Sequence, residues 1–165
     1  MKLSDDACDI GDDKSLAIAL GILCAITSAF ATVSSASAAC IFIGILIGNL
    51  IALKVDGFHH IITLILFVLI SLIMGIPELN LVILLICIFS ALLDEVGHEL
   101  ISKLTENKFL NCFFEYRFAM KVAIFLLALC GIFNIWFFVL FILFEFAYLI
   151  AGSISENGLF KKSRI

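Results

Sequence analysis

The chain has 165 residues, 64% of them hydrophobic, with a formal net charge of −4 and a mean hydropathy of +1.24. A soluble domain of this length cannot hide so much apolar surface, so the expected solvent is lipid. The acidic excess lies mostly outside the apolar runs, so a nucleic-acid-binding surface is excluded as the basis of function.

Residues 1–15 hold Asp5, Asp6, Asp9, Asp12 and Asp13 and are expected to form an acidic, solvated tail on the cytoplasmic side. Their spacing does not fit a calcium loop. Ala36-Ser37-Ala38 is a small-residue sequence of the kind found at leader cleavage sites. A leader starts basic, however, and this acidic segment is expected to be retained.

Uncharged runs predict helices near 16–33, 38–53, 60–76, 80–100, 118–132 and 135–152. The stretch from 15 to 53 is too long for one span, and Val33-Ser34-Ser35-Ala36-Ser37 marks its turn. Pro77-Glu78-Leu79-Asn80 and Gly131-Ile132-Phe133-Asn134 mark two more. The expected fold is an all-α integral membrane protein, a bundle of six transmembrane helices made of three antiparallel hairpins over 16–152. A basic tail follows at 153–165. This threading puts all ten Lys and Arg residues on the side of both termini, among them Lys161, Lys162 and Arg164. By the positive-inside bias that side is cytoplasmic, in a multi-pass protein of the cytoplasmic membrane.

The first two helices carry small residues at every fourth position: Ala17, Gly21, Ala25 and Ala29, then Ala36, Cys40, Gly44, Gly48 and Ala52. Gly44 to Gly48 is a literal GxxxG. Such stripes let a second backbone approach closely. They predict a tight hairpin of helices one and two, or a docking face for a second copy or another membrane protein. Of the six cysteines none forms a CxxC pair, and the four in apolar runs (Cys24, Cys40, Cys87, Cys130) read as small packing residues.

Counting inward from the outer turns at ~1.5 Å per residue places Glu145 about 16 Å deep, Asn49 about 18 Å, Lys121 about 20 Å and Asp94 about 21 Å. Four polar residues from four helices are thus expected in one intramembrane layer. Glu145 should face protein or water, since a carboxylate near the bilayer centre costs about 2.5–3.5 kcal/mol even on the lenient insertion scale. It is expected to pair with Lys121 or bond neighbouring hydroxyls as a structural contact, or else to bind a proton or cation. Tyr148 shares its face.

A second constellation is Asp94-Glu95-Val96-Gly97-His98-Glu99, whose polar side chains span an arc of about 140° on a helix. Glu95 and His98 have ExxH spacing, and His59 and His60 begin the preceding helix at a similar depth. The set His59, His60, Asp94, Glu95, His98 and Glu99 predicts a divalent metal site suited to zinc, manganese or iron. The plainer alternative is a helix end wetted among headgroups. A second ExxH and an HExxH are both missing, and there is no phosphate-binding glycine loop or Ser-centred elbow.

Phe113, Phe114, Tyr116 and Arg117 read as an inner interfacial anchor, and Trp136 as an outer one. These features support three expectations: a small cation or solute transporter, a metal-dependent enzyme acting on a lipid, and a structural subunit of a larger membrane complex. In the second, Arg117 and Lys121 would hold an anionic headgroup.

Overall fold

The computed structural model describes residues 1–11, 13–55, 57–104 and 107–155. Asp12 and most of the basic C-terminal tail lie outside the described residues. Those described form eight α-helices and no strand: α1 (Lys2–Asp9), α2 (Lys14–Ser34), α3 (Ala36–Ile51), α4 (Phe58–Met74), α5 (Leu81–Leu104), α6 (Lys108–Glu115), α7 (Phe118–Leu129) and α8 (Ile135–Ile154). Helices α2, α5 and α8 are long and apolar enough to cross a membrane, while α3, α4 and α7 are apolar but shorter.

Polar side chains start most of these helices. Asp13 accepts from the Leu16 N–H, Ser35 from Ala38, Asn80 from Val82, Asn107 from Phe109 and Asn134 from Trp136, at 3.0–3.2 Å. Each satisfies a donor that a helix N-terminus leaves orphaned. Gly75 (φ 89°) ends α4, and Gly131 (φ 71°) follows α7. Hydroxyls within the apolar helices turn back onto their own backbone, as Thr32 does to Ser28 and Ser90 to Ile86. This removes unpaired donors from an environment without water.

Small residues make up much of the interior, beside Phe67, Ile124, Phe133 and Phe141, and much of the exterior is large and apolar. Ala17, Ala25, Ala29, Ala39, Cys40 and Cys87 are buried, whereas Leu23, Phe30, Leu72, Ile73, Phe89 and Leu143 are exposed. Lipid solvates such a surface and water does not, so the arrangement is that of a membrane protein. Cys40 and Cys87 pack in the core as expected, but Cys130 is exposed and Cys24 half-buried.

The small-residue stripes find a different partner from the one the sequence suggests. Gly21 lies against His59 and Thr63 of α4, and Ala25 and Ala29 pack with Phe67. Gly44 lies on Cys87 and Gly48 on Ala91 of α5. Residue numbers rise together along both contacts, so α2 runs parallel to α4, and α3 parallel to α5. The pairs α2–α3 and α7–α8 are packed hairpins, whereas α4 and α5 lie chiefly against α2 and α3. The expected middle hairpin is thereby replaced: the glycine grooves accept backbones that bulky α4 and α5 faces could not offer each other.

Two short helices were not foreseen. Instead of being solvated, α1 folds back along α2 with Ser4, Asp6 and Ala7 buried. The Ser4 hydroxyl donates to the Ala17 carbonyl at 2.7 Å, and the N-terminal ammonium reaches Cys24 Sγ at 3.4 Å. Its other side meets α8, where the Lys2 stem lies 3.3 Å from the Cβ position of Gly152. Helix α6 lies on α5, its Phe114 ring filling the space that any side chain at Gly97 would occupy.

Candidate functional site

A group of polar residues gathers around the start of α7. Arg117, its N-cap, has φ 51° and ψ 56° and offers no side-chain cap of its own. That left-handed conformation costs a non-glycine residue roughly 1–2 kcal/mol. It is held by a two-pronged ion pair, in which Arg117 NH1 and NH2 donate to Glu95 Oε1 and Oε2 at 3.1 and 3.3 Å. The guanidinium also lies 5.7 Å from the centre of the Tyr148 ring on α8, a cation–π distance.

One residue before Glu95, Asp94 is taken up by the backbone. Its Oδ1 accepts from the Ala119 N–H and its Oδ2 from the Met120 N–H, both at 2.8 Å. A side chain of α5 therefore caps α7, and the two helices are fastened at that point. One turn further on, Lys121 Nζ lies 2.9 Å from Glu145 Oε2 on α8, both side chains largely shielded. The ammonium also donates to the Tyr116 carbonyl and, at 3.5 Å, to that of Arg117. Three of the four residues of the expected layer thus share one connected set with Glu95, Arg117 and Tyr148. Asn49 stays apart on α3, half-buried, without a side-chain hydrogen bond to the other three among the described residues.

The six residues of the expected metal set do not converge. Asp94 caps α7, Glu95 holds Arg117, Glu99 pairs with Lys54, and His98 is exposed. His59 and His60 turn instead to α1. Their Nε2 atoms lie 3.2 and 2.9 Å from the same oxygen, Asp5 Oδ1. The physical reason is the packing of α4 on α2, which separates the histidines from α5. Sequence reading misses Asp5 because nothing local announces that α1 folds back. It also misses the Asp94 cap, because capping from another helix leaves no spacing signature.

Burial pushes the Asp5 carboxyl up, but hydrogen bonds from His60 and His59, with charge from His60 and the N-terminal ammonium, outweigh this and hold it below the usual 3.8. Beside it, Asp6 binds Lys2 at 2.9 Å, and that hydrogen bond raises the lysine's pKa. A carboxyl with a lowered folded-state pKa stabilises the docked helix above its unfolded value and loses that contribution as pH falls through the lowered value. Hydrogen-exchange protection of amides 4–7 is accordingly expected to persist at pH 5 and to fall below about pH 4. Unchanged protection there would show that Asp5 does not hold α1.

A separate cleft of about 210 Å³ lies between α2, α3 and α8, lined by Ala31, Ala38, Phe42, Phe141 and Phe144 among others. Its walls are apolar, and none of the residues of the expected polar layer lines it. No family model, curated protein or solved structure matches this chain, so the reading of the site rests on its own geometry.

Proposed function

We propose that the chain is a six-span protein of the cytoplasmic membrane, with both termini cytoplasmic, that moves a small cation or solute across the bilayer. All ten basic residues fall on one side of that threading, which supports the orientation. The observation that carries the transport reading is the Lys121–Glu145 pair. Two opposite charges sit 2.9 Å apart between neighbouring apolar helices, only 13% and 19% exposed. Charges at such depth are costly and mark ion or proton paths by default. Apolar packing of α7 on α8 needs neither of them.

In this reading Glu145 takes a proton or a cation, and Lys121 then keeps the Tyr116 and Arg117 carbonyls as partners. The shift loosens α8 from α7 without leaving the ammonium bare. The fixed points around it are the Asp94 cap and the Glu95–Arg117 pair. The membrane-enzyme reading lacks its convergent metal set, and the docking reading lacks a vacant stripe, since α4 and α5 fill both.

The test is proton-coupled cation uptake into liposomes holding the purified chain. Glu145→Gln is expected to cut uptake at least about tenfold while the chain stays folded, because a neutral amide cannot exchange a proton. No uptake by the native chain across the common monovalent and divalent cations, or equal uptake by the variant, rejects the reading.

A further inference from the structure

The Asp5, His59 and His60 cluster has no part in the transport reading, and its geometry carries a separate conclusion. We propose that these three side chains bind one divalent transition-metal cation of the zinc type, which fastens α1 to α4.

The distances fit before any ion arrives. Zinc bound at about 2.0–2.2 Å to nitrogen and oxygen sets neighbouring tetrahedral ligands about 3.3 Å apart. Here the Asp5 oxygen is 3.2 and 2.9 Å from the two Nε2 atoms, and all three donors lie within 4.8 Å of one another. Two imidazoles and a carboxylate are the donor set for zinc, manganese or iron, and three protein ligands leave a coordination position for water or an outside group.

The fold builds room for this arrangement. A Cβ at Gly57 would come within 2.6 Å of His59 Cε1 and 3.3 Å of His60 Nδ1, so a glycine there lets both rings turn the same way. The rings lie 4.3 Å apart, tilted by 36°. His59 is buried, which shields one side of the site. Two cations already stand near Asp5, the N-terminal ammonium and Lys2. Neither takes the place between the rings: the first reaches Cys24 Sγ and the second Asp6. Asp5 is the member of the set that belongs to α1, so an ion bound there ties the N-terminal helix to the start of α4.

The experiment uses the full chain, purified in detergent and stripped with chelator. Zinc titrated by calorimetry is expected to bind at one ion per chain, and cobalt(II) is expected to give the visible absorption of a tetrahedral site. Asp5→Asn, His59→Ala and His60→Ala should each weaken binding at least about tenfold, a floor taken from what even supporting residues contribute. His98→Ala should leave it unchanged. Zinc should also raise the exchange protection of amides 4–7 in the native chain, a reading that needs no variant. The proposal is overturned if the native chain binds neither ion, if the three variants bind as it does, if His98→Ala abolishes binding, or if bound zinc leaves amides 4–7 unprotected. None of these readings depends on transport.

Discussion

Asp94→Ala is expected to destabilise the chain by about 3 kcal/mol, since one buried and one half-buried backbone N–H group lose a charged acceptor and an orphaned buried donor costs about 1–3 kcal/mol. The donors are those of Met120 and Ala119, and Met120 is only 3% exposed, so water cannot replace the carboxylate there. Arg117 in the N-cap position has no side-chain cap to substitute for it. Asp94→Asn should cost about half as much, because one amide oxygen still serves one N–H while the amide nitrogen faces the other. The check is the midpoint of SDS-induced unfolding in mixed micelles. Equal midpoints for Asp94→Ala and the native chain would mean that the cap does not form. Glu145→Gln should move the midpoint far less, since Lys121 retains two carbonyl acceptors. That contrast makes Glu145 the clean functional probe: loss of uptake in Asp94→Ala would follow from unfolding alone.

The helical segments were legible because a run of apolar residues in lipid has few other ways to satisfy its backbone. Each of the six expected runs overlaps an observed helix, with ends shifted by up to four residues, and Ser35, Asn80 and Asn134 sit at helix starts where the sequence turns. Pairing was not legible. A glycine stripe states that some backbone comes close, and Gly44 says nothing about whether that backbone belongs to α2 or to α5. A fixed rise per residue put Lys121, Glu145 and Asp94 at similar counts from their turns, and the structure gathers all three near the start of α7. The Lys121–Glu145 contact was legible as well, but no spacing announced that Arg117 would turn to Glu95 or that Asp94 would cap α7. The acidic tail misled most. Five aspartates suggest solvation, yet α1 buries Ser4 and Ala7 against α2 and hands Asp5 to two histidines.

Gly44→Leu is expected to separate α3 from α5. Even one added carbon would lie 2.6 Å from Cys87 Cβ, with the Cys87 carbonyl carbon at 3.1 Å and Ile88 N at 3.3 Å behind it. Backbone cannot move aside as a flexible side chain can, so Gly44→Ala alone should cost about 1–3 kcal/mol and leucine more. Because the nearest atom is the Cys87 Cβ, removing it should restore part of the loss. In a double-mutant cycle Gly44→Ala with Cys87→Gly is expected to recover about 1 kcal/mol relative to the sum of the single changes. Additive effects would reject direct contact between these two positions. A neutral Gly44→Leu would go further, because it would put the stripe of α3 toward lipid or a second chain. A changed oligomeric state in the same variant would then decide between those two, with α5 released from the parallel pairing that positions Asp94 over α7.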